Sequence, residues 1–194
     1  MCGRYYVDDE AAREIENIVK TLDQKLKAER MGDVCPSQSA LVLAGQTQGI
    51  VPEIMQWGFP GFQGNRLLIN ARSEGVLEKK TFRDSVLHRR CVIPAKGFYE
   101  WNDKKEKYQF ERQDGQPVLF MAGCFQIYQG QERFVILTTG ANSSVSPVHG
   151  RMPLILEPGE WGSWILDDGA VENFLRKTPA FLKKKSEYQQ LSLF

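Results

Sequence analysis

The second residue of the chain is a cysteine, in the opening run Met1-Cys2-Gly3-Arg4. If Met1 is removed, Cys2 carries an α-amine and a thiol on adjacent carbons, a pair that no internal cysteine has. The amine titrates near pH ~7.7–8.0 and the thiol near ~8.5, so both are partly deprotonated around neutrality. This pair predicts nucleophilic chemistry at the N-terminus, although a cysteine here is also typical of a frayed chain end without a chemical role.

Three further groups complete, with Cys2, a set that can carry out nucleophilic and acid–base chemistry. Asn70 ends the apolar run 67–69, Glu100 lies between aromatic residues, and His149 lies in a polar loop before an apolar run. Partial burial raises the pKa of a carboxyl group, which suits it to proton transfer. Each group also has a structural interpretation: Asn70 as a turn cap, Glu100 as an edge ion pair, and His149 as a hydrogen-bonded loop residue.

The elements that must position these groups are mainly strands. Apolar residues at helical spacing predict an amphipathic helix over 9–30, and helical segments are also expected over 73–90, 158–166 and 169–177. Alternating patterns and turn residues predict the strands, including an antiparallel meander. The predicted strands cover residues 4–7, 40–44, 50–57, 67–69, 91–101, 107–112, 117–128, 133–139 and 151–156.

This order of elements predicts an α+β fold, a curved and mostly antiparallel sheet or barrel with peripheral helices. The length of 194 residues fits one domain over 1–194, with an irregular tail from about residue 178.

Composition narrows the classes of function. The chain is 42% hydrophobic and 25% charged, without an apolar run of the ~18 residues that a membrane span needs and without a signal peptide. We therefore expect a cytoplasmic protein with no membrane partner. The net charge of +1 gives no global electrostatic argument for nucleic-acid binding, so such binding would have to use a local basic groove. Four widely spaced cysteines and two histidines predict neither disulfides nor a metal site, and no cofactor is expected.

Five sequence blocks occur in an order that resembles the SOS-response-associated peptidase (SRAP) family. Five blocks in order are far more specific than any one of them, and they span residues 1 to 153, so the resemblance covers essentially the whole chain. The blocks are Met1-Cys2-Gly3-Arg4, Trp57-Gly58-Phe59-Pro60, Asn70-Ala71-Arg72-Ser73-Glu74, Cys91-Val92-Ile93-Pro94-Ala95 with Gly97-Phe98-Tyr99-Glu100-Trp101, and Pro147-Val148-His149-Gly150-Arg151-Met152-Pro153.

The resemblance implies that the protein senses abasic sites in single-stranded DNA and captures the damaged sugar covalently, shielding the lesion in the DNA damage response. An opened abasic site is an aldehyde, with which the Cys2 amine would condense to an imine. The Cys2 thiol would then attack the same carbon and close a five-membered thiazolidine. The resemblance also implies lyase-type chemistry, self-removal of Met1, and a monomer that is nucleoid-associated when bound to DNA.

Residue roles follow by similarity. Glu100 would open the sugar ring and shuttle protons, His149 would assist proton transfer and favour elimination or reversal, and Asn70 would hold the Cys2 amine or a sugar hydroxyl. Planar guanidinium groups suit phosphate oxygens, and rigid apolar surfaces suit unpaired bases. The DNA-binding candidates are Arg4, Arg72 and Arg151 for phosphates, Trp57, Phe98 and Pro36 for bases, and Thr139 and Asn142 for further contacts. For Trp57 a core position is an equally good prediction.

Three other functions fit parts of the sequence. Glutamine amidotransferases, which are N-terminal-nucleophile enzymes, also begin Met-Cys-Gly but usually continue with an apolar residue where this chain has Arg4. A peptidase acting on other proteins is the second alternative, although the chain has no Gly-x-Ser-x-Gly elbow. A non-covalent single-stranded DNA-binding module is the third.

Overall fold

The computed structural model describes residues 2–22, 31–47, 49–62 and 66–186. The helices in these ranges are α1 (Asp9–Leu22), α2 (Lys80–His88), α3 (Trp161–Leu166) and α4 (Val171–Leu175), with 3-10 turns at Val76–Glu78 and Asp168–Ala170. The strands are β1 (Tyr5–Val7), β2 (Gly32–Val34), β3 (Ser39–Gln46), β4 (Gly49–Trp57), β5 (Phe59–Pro60), β6 (Leu67–Leu68), β7 (Asn70–Arg72), β8 (Arg90–Ala95), β9 (Gly97–Trp101), β10 (Lys107–Arg112), β11 (Leu119–Tyr128), β12 (Gln131–Gly140), β13 (Arg151–Pro153), β14 (Ile155–Leu156) and β15 (Leu182–Ser186).

The first predicted helix is confirmed as α1, and the predicted residues 23–30 lie outside the described residues. The Asp8 carboxylate accepts a hydrogen bond from the Ala11 amide at 2.9 Å and so caps the helix. Ala11, Ile15 and Val19 recur at helical spacing and are all buried. Within the described ranges, no helix is long and apolar enough to cross a membrane.

Five strands close into a barrel, which confirms the predicted fold class. β12 pairs with β11 on one side and with β4 on the other, and β3 and β8 complete the ring between them. The β4–β12 pairing is parallel, whereas the other pairings around the ring are antiparallel. β7 adds to β12 in parallel and places Asn70 opposite Ile136.

A second sheet joins the N-terminus to the strand that carries Glu100. Its strand order is β15-β10-β9-β1-β2. Tyr5 of β1 lies opposite Phe98 of β9, so the residues just before Tyr5 run beside the residues just after Phe98. This pairing brings Cys2 and Glu100 together although 97 intervening residues separate them in the sequence.

Alternate residues of the barrel strands enter two different cores. Cys91 and Ile93 of β8 lie in the inner core, whereas Val92 between them faces the outer core under the helices. The inner core also contains Cys2, Trp57 and Phe98. The first residues of the chain are therefore packed against the inner core.

The prediction of an irregular tail is wrong over residues 182–186. These residues form β15, which pairs antiparallel with β10 at the edge of the second sheet. The lysine run predicts a solvated segment, but Leu182 is 6% exposed and anchors the strand in the inner core. Three consecutive lysines after Leu182 give no alternation of apolar and polar residues, so the sequence carries no strand pattern here. The rest of the tail, 187–194, lies outside the described residues.

Candidate active site

Cys2 lies in a short extended segment before β1 and is fully buried. Its carbonyl oxygen accepts a hydrogen bond from Asn70 Nδ2 at 2.8 Å, and its Sγ lies 3.8 Å from the Arg4 carbonyl oxygen. The Arg4 carbonyl also accepts the Tyr99 amide at 3.0 Å, which ties this segment to β9. The chain start is thus held by named contacts. Met1 lies outside the described residues.

Asn70 connects the N-terminal segment to the barrel. Its backbone is fixed by the pairing of β7 with β12, and the Ile69 carbonyl just before it accepts the Trp57 indole N–H at 2.9 Å. While Nδ2 donates to Cys2, the Asn70 Oδ1 atom is buried and accepts no hydrogen bond from the described residues. A buried amide oxygen of this kind can accept a hydrogen bond from a ligand N–H or O–H group.

Glu100 and His149 face one another beside Cys2. The Glu100 side chain is 3% exposed and the His149 side chain 28% exposed, with 3.9 Å between Glu100 Oε1 and His149 Nδ1. His149 Nδ1 lies 3.0 Å from the Arg151 amide nitrogen and 3.1 Å from the Arg151 carbonyl oxygen, so it accepts from the amide in one neutral tautomer and donates to the carbonyl in the other. A protonated imidazole would instead be an ion-pair partner for Glu100 at this separation.

Burial governs the protonation of both reactive side chains. It raises the pKa of Glu100, an effect that the nearby His149 opposes when it is charged. Burial, reinforced by the Glu100 carboxylate, also raises the pKa of the Cys2 thiol far above its usual range. The thiol is therefore protonated at neutral pH, and a reaction through sulfur requires a base to take its proton. Glu100 is the carboxylate that acts on the Cys2 pKa and is the obvious acceptor.

The loop between β12 and β13 positions His149. The Asn142 side chain donates to the carbonyls of Pro179 and Ala180, at 2.9 and 3.0 Å, and accepts hydrogen bonds from the amide and hydroxyl of Ser144. The His149 amide then donates to the Val145 carbonyl at 3.1 Å. Asn142 thus fixes the loop to the segment before β15, and its side chain is committed to the fold.

The three candidate arginines are in different states. Arg72 is exposed at the end of β7 and makes no ion pair with another described residue. Arg4 is partly exposed, pairs with Asp33 at 3.4 Å, and lies 5.8 Å from the Trp101 ring centroid. Both guanidinium groups can reach a ligand in solvent, Arg72 more freely than Arg4.

Arg151 is already engaged by protein groups. Its two terminal nitrogens each donate to one carboxylate oxygen of Glu74 at 2.8 Å, and Nη2 also donates to the Thr138 carbonyl at 2.6 Å. This fork lowers the pKa of Glu74. A phosphate would have to displace Glu74 to reach the same fork, so the fold gives Arg151 a structural role that its sequence block does not reveal. Its backbone amide, as noted, orients His149.

The aromatic candidates for base stacking are in the core, which corrects the prediction for Trp57 and Phe98. Both side chains are fully buried. Trp57 stacks on Phe134 with a centroid distance of 6.1 Å, and Phe98 stacks on Phe110 at 5.2 Å. Neither ring presents a face to a nucleobase. Pro36, in the turn before β3, is half-buried and remains accessible in part.

We expect Trp57→Ala to lower the free energy of unfolding by about 3–5 kcal/mol, because it leaves a large cavity and removes the hydrogen bond from the indole N–H to the Ile69 carbonyl. Denaturant unfolding measures the change. Ile127→Ala, at a side chain that is 56% exposed, is the matched control and should change stability by about 0.5 kcal/mol or less. A Trp57→Ala protein of normal stability that has lost only DNA affinity would contradict the core assignment.

Thr139 is half-buried near the end of β12 and lines a cavity of about 560 Å³. The cavity lies between the turn after β7 and α4, and Ser73, Glu74 and Arg176 contribute to its walls. Thr139 therefore lies near the Glu74–Arg151 pair. Within the described part of the chain, no group of three or more His, Cys, Asp or Glu side chains is arranged to hold a metal ion.

The fold and the site define an α+β barrel protein whose N-terminal cysteine is held beside an amide, a carboxyl group and an imidazole. The chain belongs to the SOS response associated peptidase (SRAP) family, whose sequence model matches residues 1–192.

Known proteins resemble the chain over most of its length. The abasic site processing protein YedK of Escherichia coli K12 is 30% identical over 176 residues, which cover 85% of this chain and 79% of YedK. The abasic site processing protein YoqW of Bacillus subtilis is 30% identical over 181 residues, covering 85% of this chain and 80% of YoqW. A crystal structure of a protein from Bacteroides thetaiotaomicron has a TM-score of 0.77 at 21% identity, covering 95% of this chain and 91% of that protein. This last likeness concerns the fold.

Proposed function

We propose that this protein processes abasic sites in single-stranded DNA by forming a covalent crosslink through Cys2 after removal of Met1. The observation that carries the proposal is the grouping of Cys2 with Asn70, Glu100 and His149, from four separate parts of the chain. The relatives named for abasic site processing, at 30% identity over most of this chain, support the substrate class.

The chemistry begins at the amine. The Cys2 α-amine attacks the aldehyde carbon of the opened sugar, and loss of one water gives the imine. The thiol sulfur then adds to the imine carbon, forming the carbon–sulfur bond, while the thiol proton is transferred by way of Glu100 to the former imine nitrogen. The resulting ring contains nitrogen, two cysteine carbons, sulfur and the sugar carbon. Ring closure is an addition, so the only water lost overall is the one released on imine formation.

Each neighbouring group has a role that matches its environment. Glu100 donates a proton to open the sugar ring and later accepts the thiol proton, and burial raises its pKa, which favours the protonated form that a general acid needs. His149, partly exposed, transfers protons on the solvent side and favours elimination or reversal. Asn70 Oδ1 accepts a hydrogen bond from the Cys2 amine or a sugar hydroxyl.

The DNA strand is held mainly by groups outside this cluster. Arg72 and Arg4 bind phosphates, Arg151 supports the His149 loop and contacts phosphate only after releasing Glu74, and Pro36 and Thr139 contact the strand near the lesion. The protein acts as a monomer through a single domain, residues 1–194. Self-removal of Met1 would account for the peptidase in the family name.

Intact-mass measurement tests the proposal. We expect purified protein to have lost Met1 and, after incubation with an abasic single-stranded oligonucleotide, to show one new mass equal to protein plus DNA less one water. An oligonucleotide carrying a ring-closed abasic analogue, which has no aldehyde, is the matched control and should give no adduct. A protein that lacks Met1 and still forms no adduct with the aldehyde would refute the proposal.

Arg72→Ala should weaken non-covalent binding to single-stranded DNA and make the salt dependence shallower. One lost phosphate contact changes the slope of log K against log salt by about 0.7. Arg13→Ala is the control, because Arg13 is also exposed, on α1, and makes no ion pair with the described residues. Binding measured by anisotropy at several salt concentrations should separate the two variants. Equal salt slopes for the two variants would show that Arg72 makes no phosphate contact.

A further inference from the structure

The sheet face that carries Glu100 continues outward over two more strands. Directly opposite residues on antiparallel strands lie on the same face. Tyr108 of β10 is opposite Glu100, and Ser186 of β15 is opposite Tyr108. Lys184 lies two residues before Ser186 and so shares this face. Tyr108 and Lys184 therefore form the rim of the sheet beside the candidate active site.

This rim is where an aromatic ring on that face first becomes accessible. Phe98 and Phe110, on the same face, are fully buried and stacked on one another. Tyr108 is only half-buried, with its ring packed against the inner core. Lys184 is exposed, with Nζ 5.4 Å from the Tyr108 ring centroid, and it makes no ion pair with any residue in the described ranges. The rim thus combines an available ring with an available positive charge.

The charges around Tyr108 differ between its two ends. Its hydroxyl donates to Glu106 Oε2 at 3.3 Å, and Asn102 Nδ2 donates to the same carboxylate oxygen at 2.6 Å. A phosphate is disfavoured near Glu106 and favoured near Lys184. A strand crossing the rim would therefore place its backbone on the Lys184 side.

We propose that Tyr108 and Lys184 form a subsite for the nucleotide next to the abasic sugar, with its base on the Tyr108 ring and its phosphate on the Lys184 ammonium. This inference rests on the proposed function and extends it to strands β10 and β15. Exposed cation–π contacts are weak, so the lysine can leave the ring for a phosphate. Stacking on a ring tolerates any base, which suits a protein that must act at lesions in any sequence.

Lys183 provides a matched control for Lys184. The two lysines are neighbours on β15 and carry the same charge, but Lys183 lies on the opposite face. The probe is a single-stranded oligonucleotide with a ring-closed abasic analogue, which binds without crosslinking. At about 0.1 M salt, Lys184→Ala should weaken binding about fivefold and reduce the salt slope by about 0.7, whereas Lys183→Ala should change neither. Tyr108→Ala should weaken binding about tenfold, and Tyr108→Phe should retain wild-type affinity.

Equal effects of Lys184→Ala and Lys183→Ala would overturn the subsite, as would wild-type affinity in a folded Tyr108→Ala protein. If Tyr108→Ala fails to fold, the comparison of the two lysines decides. A subsite on one side of the lesion also predicts that the Lys184 effect disappears when the nucleotides on that side are removed from the probe. Failure of the proposed function has a separate signature, because wild-type protein would then form no adduct with an aldehyde-bearing oligonucleotide.

Discussion

Cys2→Ala should abolish the heat- and SDS-stable adduct with abasic single-stranded DNA. The variant keeps an α-amine once Met1 is removed, so it can still form an imine, but it has no sulfur to close the ring. Imines hydrolyse under denaturing conditions, whereas a thiazolidine persists. We therefore expect loss of the stable species on denaturing gels, while borohydride reduction during the incubation still traps a covalent amine product.

Cys35→Ala is the matched control for this substitution. Cys35 is a free thiol and is half-buried, but it is internal, so its nitrogen is an amide that cannot condense with an aldehyde. Its variant should form the adduct at the wild-type rate. A Cys2→Ala protein that gives a stable adduct in wild-type yield would sink the thiazolidine mechanism. If Cys2→Ala binds abasic DNA as well as wild type and neither protein forms a covalent species, the result would favour a non-covalent module.

The second large effect is expected for Glu100→Gln. The introduced glutamine keeps the shape of the side chain but transfers no proton, and loss of general acid–base catalysis typically slows a reaction by about 10²–10⁴-fold. Single-turnover crosslinking should slow by a factor in this range, with non-covalent affinity for the ring-closed abasic analogue unchanged. The wild-type rate should also depend on pH through the Glu100 ionisation, and this dependence should be absent in the variant.

Glu132→Gln supplies the control for a partly buried carboxyl outside the site. Burial also raises the pKa of Glu132, but this residue lies near the start of β12 and pairs with Ile127 on β11. Its variant should crosslink at the wild-type rate. A Glu100→Gln protein that crosslinks as fast as Glu132→Gln would remove Glu100 from the mechanism and leave proton transfer to His149 or water.

The Glu100→Gln substitution should also stabilise the protein at neutral pH. Because burial raises the Glu100 pKa above its usual value of 4.5, the unfolded chain loses this proton first as pH rises. The folded state then binds more protons, so wild-type stability falls with pH through this window and stays lowered above it. The neutral amide of the variant does not ionise, so it avoids this loss of stability. The melting temperature should rise by about 2–4 °C for each 1 kcal/mol added to the free energy of unfolding. The difference should vanish well below pH 4.5, and a persistent difference there would point to packing instead.

This opposition between stability and reactivity explains a feature of the site. Burial raises the pKa of both the Glu100 carboxyl and the Cys2 thiol, so it disfavours the charged form of each. Neither arrangement favours folding, and a chain selected for stability alone would place apolar groups in both positions. Under the proposed function, these two groups are buried together because the reaction requires them there.

Local patterns in the sequence predicted much of the architecture. The apolar periodicity of 9–30 predicts the helix whose described part is α1, and the alternating segments with their turn residues predict the strands β10, β11 and β12. Such features depend on residues near one another in the chain, so they are legible in a single sequence. Closure of the barrel cannot be predicted in this way, because the parallel pairing of β4 with β12 joins strands far apart in the chain. The prediction that β10, β11 and β12 form one meander is wrong at its first connection, because β10 pairs with β9 and β15 in the second sheet and only β11 and β12 form a hairpin.

The same limit separates what was predicted about the site from what was not. The sequence by itself determined which groups carry chemistry: a cysteine behind Met1, a carboxyl group among aromatic residues, and an amide and an imidazole next to apolar strands. The tertiary structure alone decided which groups are available. It buries Cys2, commits Arg151 to Glu74, places Trp57 in the core, and sets Tyr108 beside Glu100. Accessibility and long-range pairing depend on residues distant in the chain, which no local pattern specifies.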